Sequence, residues 1–166
     1  MKIKKSNKIK QSNTIMIVIE NEINKANLFD LEQKDSIIFI NCKGCTYTIP
    51  NKINKIVIYD CQDCKFYFTT AISSMEICKC EKLYVLLYGE QMTTQLDLVH
   101  DSEIHYIKEY GFVISCATQN CVVSTPRRTV RLPYHAFMQQ YVTNMKTWET
   151  KTREQCLDPE GYLLLN

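Results

Sequence analysis

Four cysteines in two Cys-x-x-Cys pairs are the residues of this chain whose spacing most resembles a chemical site. Cys42 and Cys45 form the first pair, and Cys61 and Cys64 form the second. Four thiolates at such spacing are the ligand set of structural zinc sites. The chain has nine cysteines, and an odd number argues against a complete disulfide framework. A four-thiolate zinc site is therefore one hypothesis for these residues.

The same cysteines belong to a repeat, which supports a second interpretation. Between Ile37 and Tyr106, residues of similar character recur every 19 positions in five columns: Phe39, Ile58, Ile77 and Leu96; Cys42, Cys61, Cys80 and Val99; Cys45, Cys64 and Leu83; Tyr47, Phe66, Val85 and Ile104; and Ile49, Phe68, Leu87 and Tyr106. A period near 20 residues is typical of a solenoid, in which each repeat buries its apolar side against its neighbours. Because thiols and hydrocarbons follow one register, we favour metal-free cysteines that act as small apolar residues at stacked corners.

The spacing inside each repeat predicts the fold class. Columns two residues apart have the side-chain alternation of a β-strand. The three-residue step between the cysteine columns carries polar pairs such as Lys43-Gly44 and Gln62-Asp63, which are typical of a corner. We therefore predict an all-β chain that folds as a right-handed parallel β-helix, a solenoid with rungs of about 19 residues.

Three segments follow from the same patterns. Residues 1–13 are lysine-rich and are expected to form a disordered tail. Residues 14–126 are expected to form the β-helix domain. In residues 127–166, apolar side chains from Tyr134 to Trp148 recur at steps of three and four after Pro133, which predicts an amphipathic helix at about residues 134–152. We expect this helix to cover one face or the open end of the solenoid.

Residues between the columns should point outward, and some of them are apolar. Tyr67, Tyr84 and Leu86 would form a patch on a face that is otherwise polar. Such a patch is covered either by another part of the chain or by a partner. A cluster of arginines follows the repeats. The predicted partner-binding residues are Lys65, Tyr67, Tyr84, Leu86, Arg127 and Arg128.

Composition and missing motifs exclude several classes of function. The net charge of +2 and the absence of a concentrated basic face argue against nucleic-acid binding. The run Ile15–Ile19 is too short for a membrane span or a secretory signal. The three histidines are scattered, and there is no glycine-rich phosphate loop and no nucleophile elbow. We expect a non-catalytic protein without a cofactor, located in the cytoplasm or in a virus particle.

Two adjacent segments carry a resemblance to a known family. Asp35–Cys61 and Gln62–Glu90 resemble the C-terminal β-helix domain of the cyclase-associated proteins, with the tubulin-binding cofactor C domain as a more distant relative. The resemblance extends from about Ile17 to Pro126. It implies a β-helix that binds monomeric actin, favours exchange of its nucleotide and commonly forms a homodimer through C-terminal segments.

The leading hypothesis is therefore a cytoskeleton-type protein-binding domain with monomeric actin as its partner. One alternative is a structural or assembly module that uses the β-helix as a scaffold, for example in a virus particle. Another is a GTPase regulator of the cofactor C type, which uses an arginine finger to stabilise charge on the transferred phosphate. In this chain Val57 occupies the position of that arginine, so the resemblance implies that this activity is absent.

Overall fold

Recurring β-strands make up the regular structure of the chain. A computed structural model describes residues 8–11, 14–134 and 138–164. In chain order its strands are β1 (Lys8–Gln11), β2 (Thr14–Glu20), β3 (Ala26–Leu28), β4 (Ser36–Ile40), β5 (Thr46–Tyr59), β6 (Lys65–Cys78), β7 (Tyr84–Leu87), β8 (Thr93–Asp97), β9 (Glu103–Tyr106), β10 (Phe112–Cys116), β11 (Val122–Thr125), β12 (Arg128–Arg131), β13 (Gln140–Asn144) and β14 (Thr150–Thr152). The described residues also contain one 3₁₀ helix, Glu154–Cys156, and no helix long and apolar enough to cross a membrane.

The strands stack into two parallel sheets. The first sheet contains β2, β4, the second halves of β5 and β6, β8 and β10. The second sheet contains β3, the first halves of β5 and β6, β7, β9 and β11. From β5 onward, neighbours in the second sheet lie 19 residues apart, as Tyr47 pairs with Phe66 and Phe66 with Val85, whereas β3 pairs with β5 at a spacing of 20. The predicted all-β, β-helix arrangement is thus confirmed.

The cysteine corners turn on two residues in the left-handed backbone region. These pairs have φ between 50° and 66°: Asn21 and Asn24, Asn41 and Gly44, Asp60 and Asp63, Lys79 and Lys82, Leu98 and Asp101, and Ala117 and Asn120. Glycine, asparagine and aspartate tolerate this region, whereas other residues adopt it at a cost of about 1–2 kcal/mol. The local sequence therefore favours the first three corners, while at Lys79, Lys82, Leu98 and Ala117 the stack imposes the conformation.

The five columns of the repeat fill the space between the sheets. Phe39, Tyr47 and Phe66 are fully buried. The ring centroids of Phe39 and Tyr47 lie 4.5 Å apart, and those of Phe39 and Phe66 lie 5.1 Å apart in an edge-to-face arrangement. Such aromatic contacts add about 0.5–1.5 kcal/mol each to the burial of the rings. The inward orientation predicted for these columns is confirmed.

The prediction of a C-terminal amphipathic helix at about residues 134–152 is wrong. Residues 135–137 lie outside the described residues, and much of the rest of this segment forms β13 and β14. β13 pairs antiparallel with β10, and β14 pairs with β13, which extends the first sheet. β12 likewise extends the second sheet by pairing with β11. The hydrogen-bonding edges of β10 and β11 need partners, and this need outweighs the helical spacing of the apolar residues.

The apolar residues that predicted the helix do not share one face. Met145 is fully buried and Val142 is 4% exposed, whereas Tyr134 is 61% and Met138 58% exposed. Within β13 the adjacent residues Val142 and Thr143 are both buried, and Met145 enters the core just after the strand ends, so burial here follows neither a helical stripe nor strict strand alternation. The C-terminal segment covers the end of the solenoid and does not cover its outer patch with a helix.

The predicted tail, residues 1–13, contains a strand. Lys8–Gln11 form β1, which pairs antiparallel with β2 at the other end of the first sheet. Residues 1–7 and 12–13 lie outside the described residues, so the prediction of disorder there stays a prediction. Antiparallel strands thus flank the parallel first sheet at both of its ends.

Candidate functional site

Four of the predicted partner-binding residues lie together on the outer surface of the second sheet. Lys65 and Tyr67 are on β6, and their register partners on β7 are Tyr84 and Leu86. The ring centroids of Tyr67 and Tyr84 lie 6.1 Å apart. Lys65 is exposed and the other three side chains are half-buried. We call these four residues the tyrosine patch.

The structure adds to this surface His105, which was not among the partner-binding residues predicted from the sequence. Its ring lies 4.8 Å from the Tyr84 ring, between centroids. Its Nδ1 lies 2.6 Å from the Ser124 hydroxyl oxygen, and its Nε2 lies 3.0 Å from a Glu103 carboxylate oxygen. With one hydrogen bond on each nitrogen, the imidazole is held in a defined orientation against the tyrosine. The spacing of 19 residues from Leu86 to His105 and on to Ser124 was the available signal in the sequence.

This surface combines an aromatic centre with charges of both signs at its margin. Tyr84 lies between Tyr67 and His105. Lys65 and Glu103, which pair with Tyr84 from opposite sides in the sheet, bring one positive and one negative charge. Opposite charges at the margin give no strong electrostatic preference, so recognition here would rest on ring contacts and hydrogen bonds. Aromatic residues of this kind are frequent at the energetic centres of protein interfaces.

Arg127 lies in the turn between β11 and β12 and Arg128 is the first residue of β12, and the contacts described for them are not with the tyrosine patch. Two N–H groups of the Arg127 guanidinium donate to the Glu109 carboxylate, with Nε 3.0 Å from Oε1. Thr125 donates its hydroxyl to the same carboxylate at 3.2 Å. Hydrogen bonding by Arg127 holds the pKa of Glu109 below its usual range. Arg128 instead lies over the ring of Trp148, 5.6 Å from the ring centroid.

The Cys-x-x-Cys residues are buried hydrogen-bond donors in the corners. The sulfur of each thiol faces the carbonyl oxygen two residues earlier, at 3.5 Å for Cys42, 3.4 Å for Cys45, 3.4 Å for Cys61 and 3.3 Å for Cys64. At the same position of a later corner, the Ser102 hydroxyl donates to the equivalent carbonyl at 2.8 Å. A hydroxyl group therefore takes the same donor role as the thiol at Ser102, whereas Leu83 fills this position with a buried hydrocarbon side chain.

Their surroundings favour the protonated thiol. Burial raises the pKa of Cys64 to about 11. The neighbouring Cys61 thiol and burial place the pKa of Cys42 well above its usual range. In the absence of a metal ion these buried thiols are therefore protonated. Within the described ranges, no group of three or more His, Cys, Asp and Glu side chains is arranged to hold a metal ion. Metal-free cysteines stay a prediction, tested below.

Comparisons with known proteins agree with the fold and with the resemblance seen in the sequence. The adenylyl cyclase-associated protein of Hydra viridissima is 26% identical over 89 residues, which are 52% of this chain and 18% of that protein. The crystal structure of cyclase-associated protein from Cryptosporidium parvum matches 89% of this chain and 93% of that chain, with a TM-score of 0.67 and 21% identity. The family described as adenylate cyclase associated (CAP) C terminal matches residues 3–154. Because that match spans most of the sequence, this chain belongs to the family of adenylate cyclase-associated protein C-terminal domains.

Proposed function

We propose that this chain is a non-catalytic, cytoskeleton-type protein-binding domain whose partner is monomeric actin. The observation that carries the proposal is membership of the cyclase-associated family over residues 3–154. The Hydra relative is much longer than the matched region, so the proposal concerns this domain and not the activity of a whole protein. The proposed location is the cytoplasm, where monomeric actin is found.

The proposed contact surface is the tyrosine patch together with His105. Tyr67, Tyr84 and His105 form a row of rings across three neighbouring strands, with centroid separations of 6.1 and 4.8 Å. A sheet holds such a row rigidly, so little side-chain freedom is lost when a partner binds. The half-buried rings also expose apolar surface that a partner would remove from water.

A binding titration tests this proposal. Fluorescently labelled monomeric actin is titrated with the wild-type chain and with a variant that carries Tyr67→Ser and Tyr84→Ser. Loss of two aromatic anchors is expected to weaken binding at least about tenfold, since such residues commonly contribute more than 1 kcal/mol each. Val57→Ser is the matched control, because Val57 is also half-buried but lies on the outer face of the first sheet.

Two results would contradict the proposal. Absence of saturable binding by the wild-type chain would remove actin as the partner. Equal weakening by Val57→Ser and by the tyrosine variant would remove the tyrosine patch as the contact surface. The same preparation allows measurement of the molar mass by light scattering, which tests the homodimer implied by the family.

A further inference from the structure

A basic groove lies at the end of the solenoid, apart from the tyrosine patch. Its volume is about 300 Å³, and its lining residues are Glu109, Arg127, Arg128, Lys146, Thr147 and Trp148. Arg127 comes from the turn between β11 and β12, Arg128 from the start of β12, and the last three residues from the turn between β13 and β14. The contact between Arg128 and the ring of Trp148 joins the two turns. We call this feature the Trp148 groove.

The turn that carries Trp148 is held in place from within. The Asn144 side-chain oxygen accepts the backbone N–H groups of Lys146 and Thr147 at 2.8 and 3.1 Å. The backbone N–H of Trp148 donates to the Asn144 carbonyl at 2.7 Å. The backbone N–H of Met145, a fully buried residue, donates to the Gly111 carbonyl at 2.9 Å. Trp148 has a φ of 65°, which is unfavourable for a bulky residue. The turn thus holds the indole ring in a position that its own backbone preference opposes.

The charges in the groove are not balanced. Three cationic side chains, those of Arg127, Arg128 and Lys146, face one carboxylate, that of Glu109. Arg127 and Thr125 already occupy that carboxylate. In the part of the chain that the structure describes, neither the Arg128 guanidinium nor the Lys146 ammonium donates a hydrogen bond to a carboxylate; Arg128 acts on Glu109 only through its charge and otherwise contacts the ring of Trp148. Positive charge beside an aromatic wall therefore remains available to an anionic ligand.

The donors of the groove indicate which anion fits. A phosphate site is commonly built from converging backbone N–H groups. Here the N–H groups of Lys146 and Thr147 already donate to Asn144, so the available donors are side chains. Tyr110 and Ile107, one and two residues from Glu109 in the sequence, are 37% and 44% exposed, and the Trp148 ring itself lines the groove. Guanidinium and ammonium groups next to exposed apolar surface suit carboxylates carried by a peptide that also has an apolar residue.

We infer that the Trp148 groove binds an acidic peptide segment of a protein partner. The carboxylates of the peptide contact Arg128 and Lys146, and an apolar side chain of the same peptide packs on Trp148. The lysine-rich first ten residues of this chain have the same sign of charge as the groove and cannot supply that segment. This inference does not rest on actin as the partner, because it uses none of the residues of the tyrosine patch.

Peptide binding measured by fluorescence anisotropy tests the inference. The probe is a short fluorescein-labelled peptide rich in Asp and Glu with one Leu-Phe pair, and its comparison has Asn and Gln in place of the acids. Trp148 is the single tryptophan of the chain, so its emission gives a second readout at the groove itself. We expect saturable binding of the acidic peptide that weakens as salt is raised. Arg128→Gln together with Lys146→Gln is expected to weaken it at least about tenfold.

A double variant with the same loss of charge is the control. Lys43→Gln together with Lys82→Gln changes two exposed lysines of the cysteine corners, and binding should stay within about twofold of the wild type. If the neutral peptide bound as tightly as the acidic one, or if both double variants weakened binding equally, the assignment of the Trp148 groove as the binding site would be wrong. Displacement of the acidic peptide by inorganic phosphate or ADP at lower concentration than by unlabelled peptide would overturn the assignment to a peptide.

Discussion

Replacement of Phe66 by alanine tests how the solenoid is stabilised. Phe66 is fully buried, and its ring centroid lies 5.1 Å from that of Phe39, 5.6 Å from that of Tyr47 and 5.5 Å from that of Phe68. Loss of a buried phenylalanine side chain costs about 3–5 kcal/mol. Three aromatic contacts are lost at the same time, and hydrogen bonds between the rungs limit collapse of the cavity. We therefore expect Phe66→Ala to lower the free energy of unfolding by about 4–5 kcal/mol, near the upper end of that range.

Lys65→Ala is the matched control, because Lys65 is the preceding residue on the same strand and is exposed. It should cost less than about 1 kcal/mol. Urea unfolding monitored by circular dichroism gives the change in the free energy of unfolding for both variants. The comparison requires that the dependence of this free energy on urea concentration is the same in each. If Lys65→Ala destabilised as much as Phe66→Ala, or if Phe66→Ala cost less than about 1 kcal/mol, the inward register and the rigid spacing of rungs would both be refuted.

Three further predictions concern the corners. Leu98 has a φ of 55°, so Leu98→Asn should raise the free energy of unfolding by about 1 kcal/mol in urea, and a decrease would contradict the left-handed assignment. Burial raises the pKa of Cys64 to about 11, so this thiol stays protonated when folded but ionises when unfolded above about pH 9. Cys64 alone should therefore lower the stability by up to about 1.4 kcal/mol per pH unit from pH 9 to 11, in addition to the other buried thiols, and Cys64→Ala should reduce the total slope under reducing conditions. A slope unchanged by Cys64→Ala would contradict the shift. Purified protein should contain far less than one zinc ion per chain and keep its melting temperature in a chelator, whereas stoichiometric zinc would restore the four-thiolate hypothesis.

The fold of the repeats could be predicted because local pattern and global structure agree there. Phe39 and Phe66 lie in columns where every residue is apolar, and the same register explains both alternation and stacking. The corner at Gly44 was also visible, since its residue type favours a left-handed backbone. Leu98 has no such preference, and only its place in the stack imposes the conformation.

The C-terminal strands could not be predicted from their own sequence. Tyr141, Met145 and Trp148 follow helical spacing, but β13 forms because β10 has an edge that needs hydrogen bonds. No property of residues 134–152 reveals that edge, which belongs to a strand more than 20 residues earlier.

The candidate site was partly predictable for a similar reason. Tyr67 and Tyr84 lie inside the repeat, so counting in steps of 19 places them on one face, and it also places His105 there. Arg127 and Arg128 follow the last complete repeat, where counting gives no position. Their neighbours, Glu109 and Trp148, come from two different turns that only the folded chain brings together.

The reversal of chain direction at the ends of the first sheet has a consequence for self-assembly. A stack of parallel rungs with a constant offset could in principle be continued by a second molecule, which would lead to open-ended fibres. Here β1 and β13 run antiparallel to the strands they join, and the end strands β12 and β14 are only four and three residues long. β12 has an arginine at each end, and β14 has Lys151 at its centre. Short, charged, reversed strands thus lie at three of the four sheet ends and present a poor template for another rung; the fourth end, β3, is parallel but only three residues long, so the fold disfavours polymerisation.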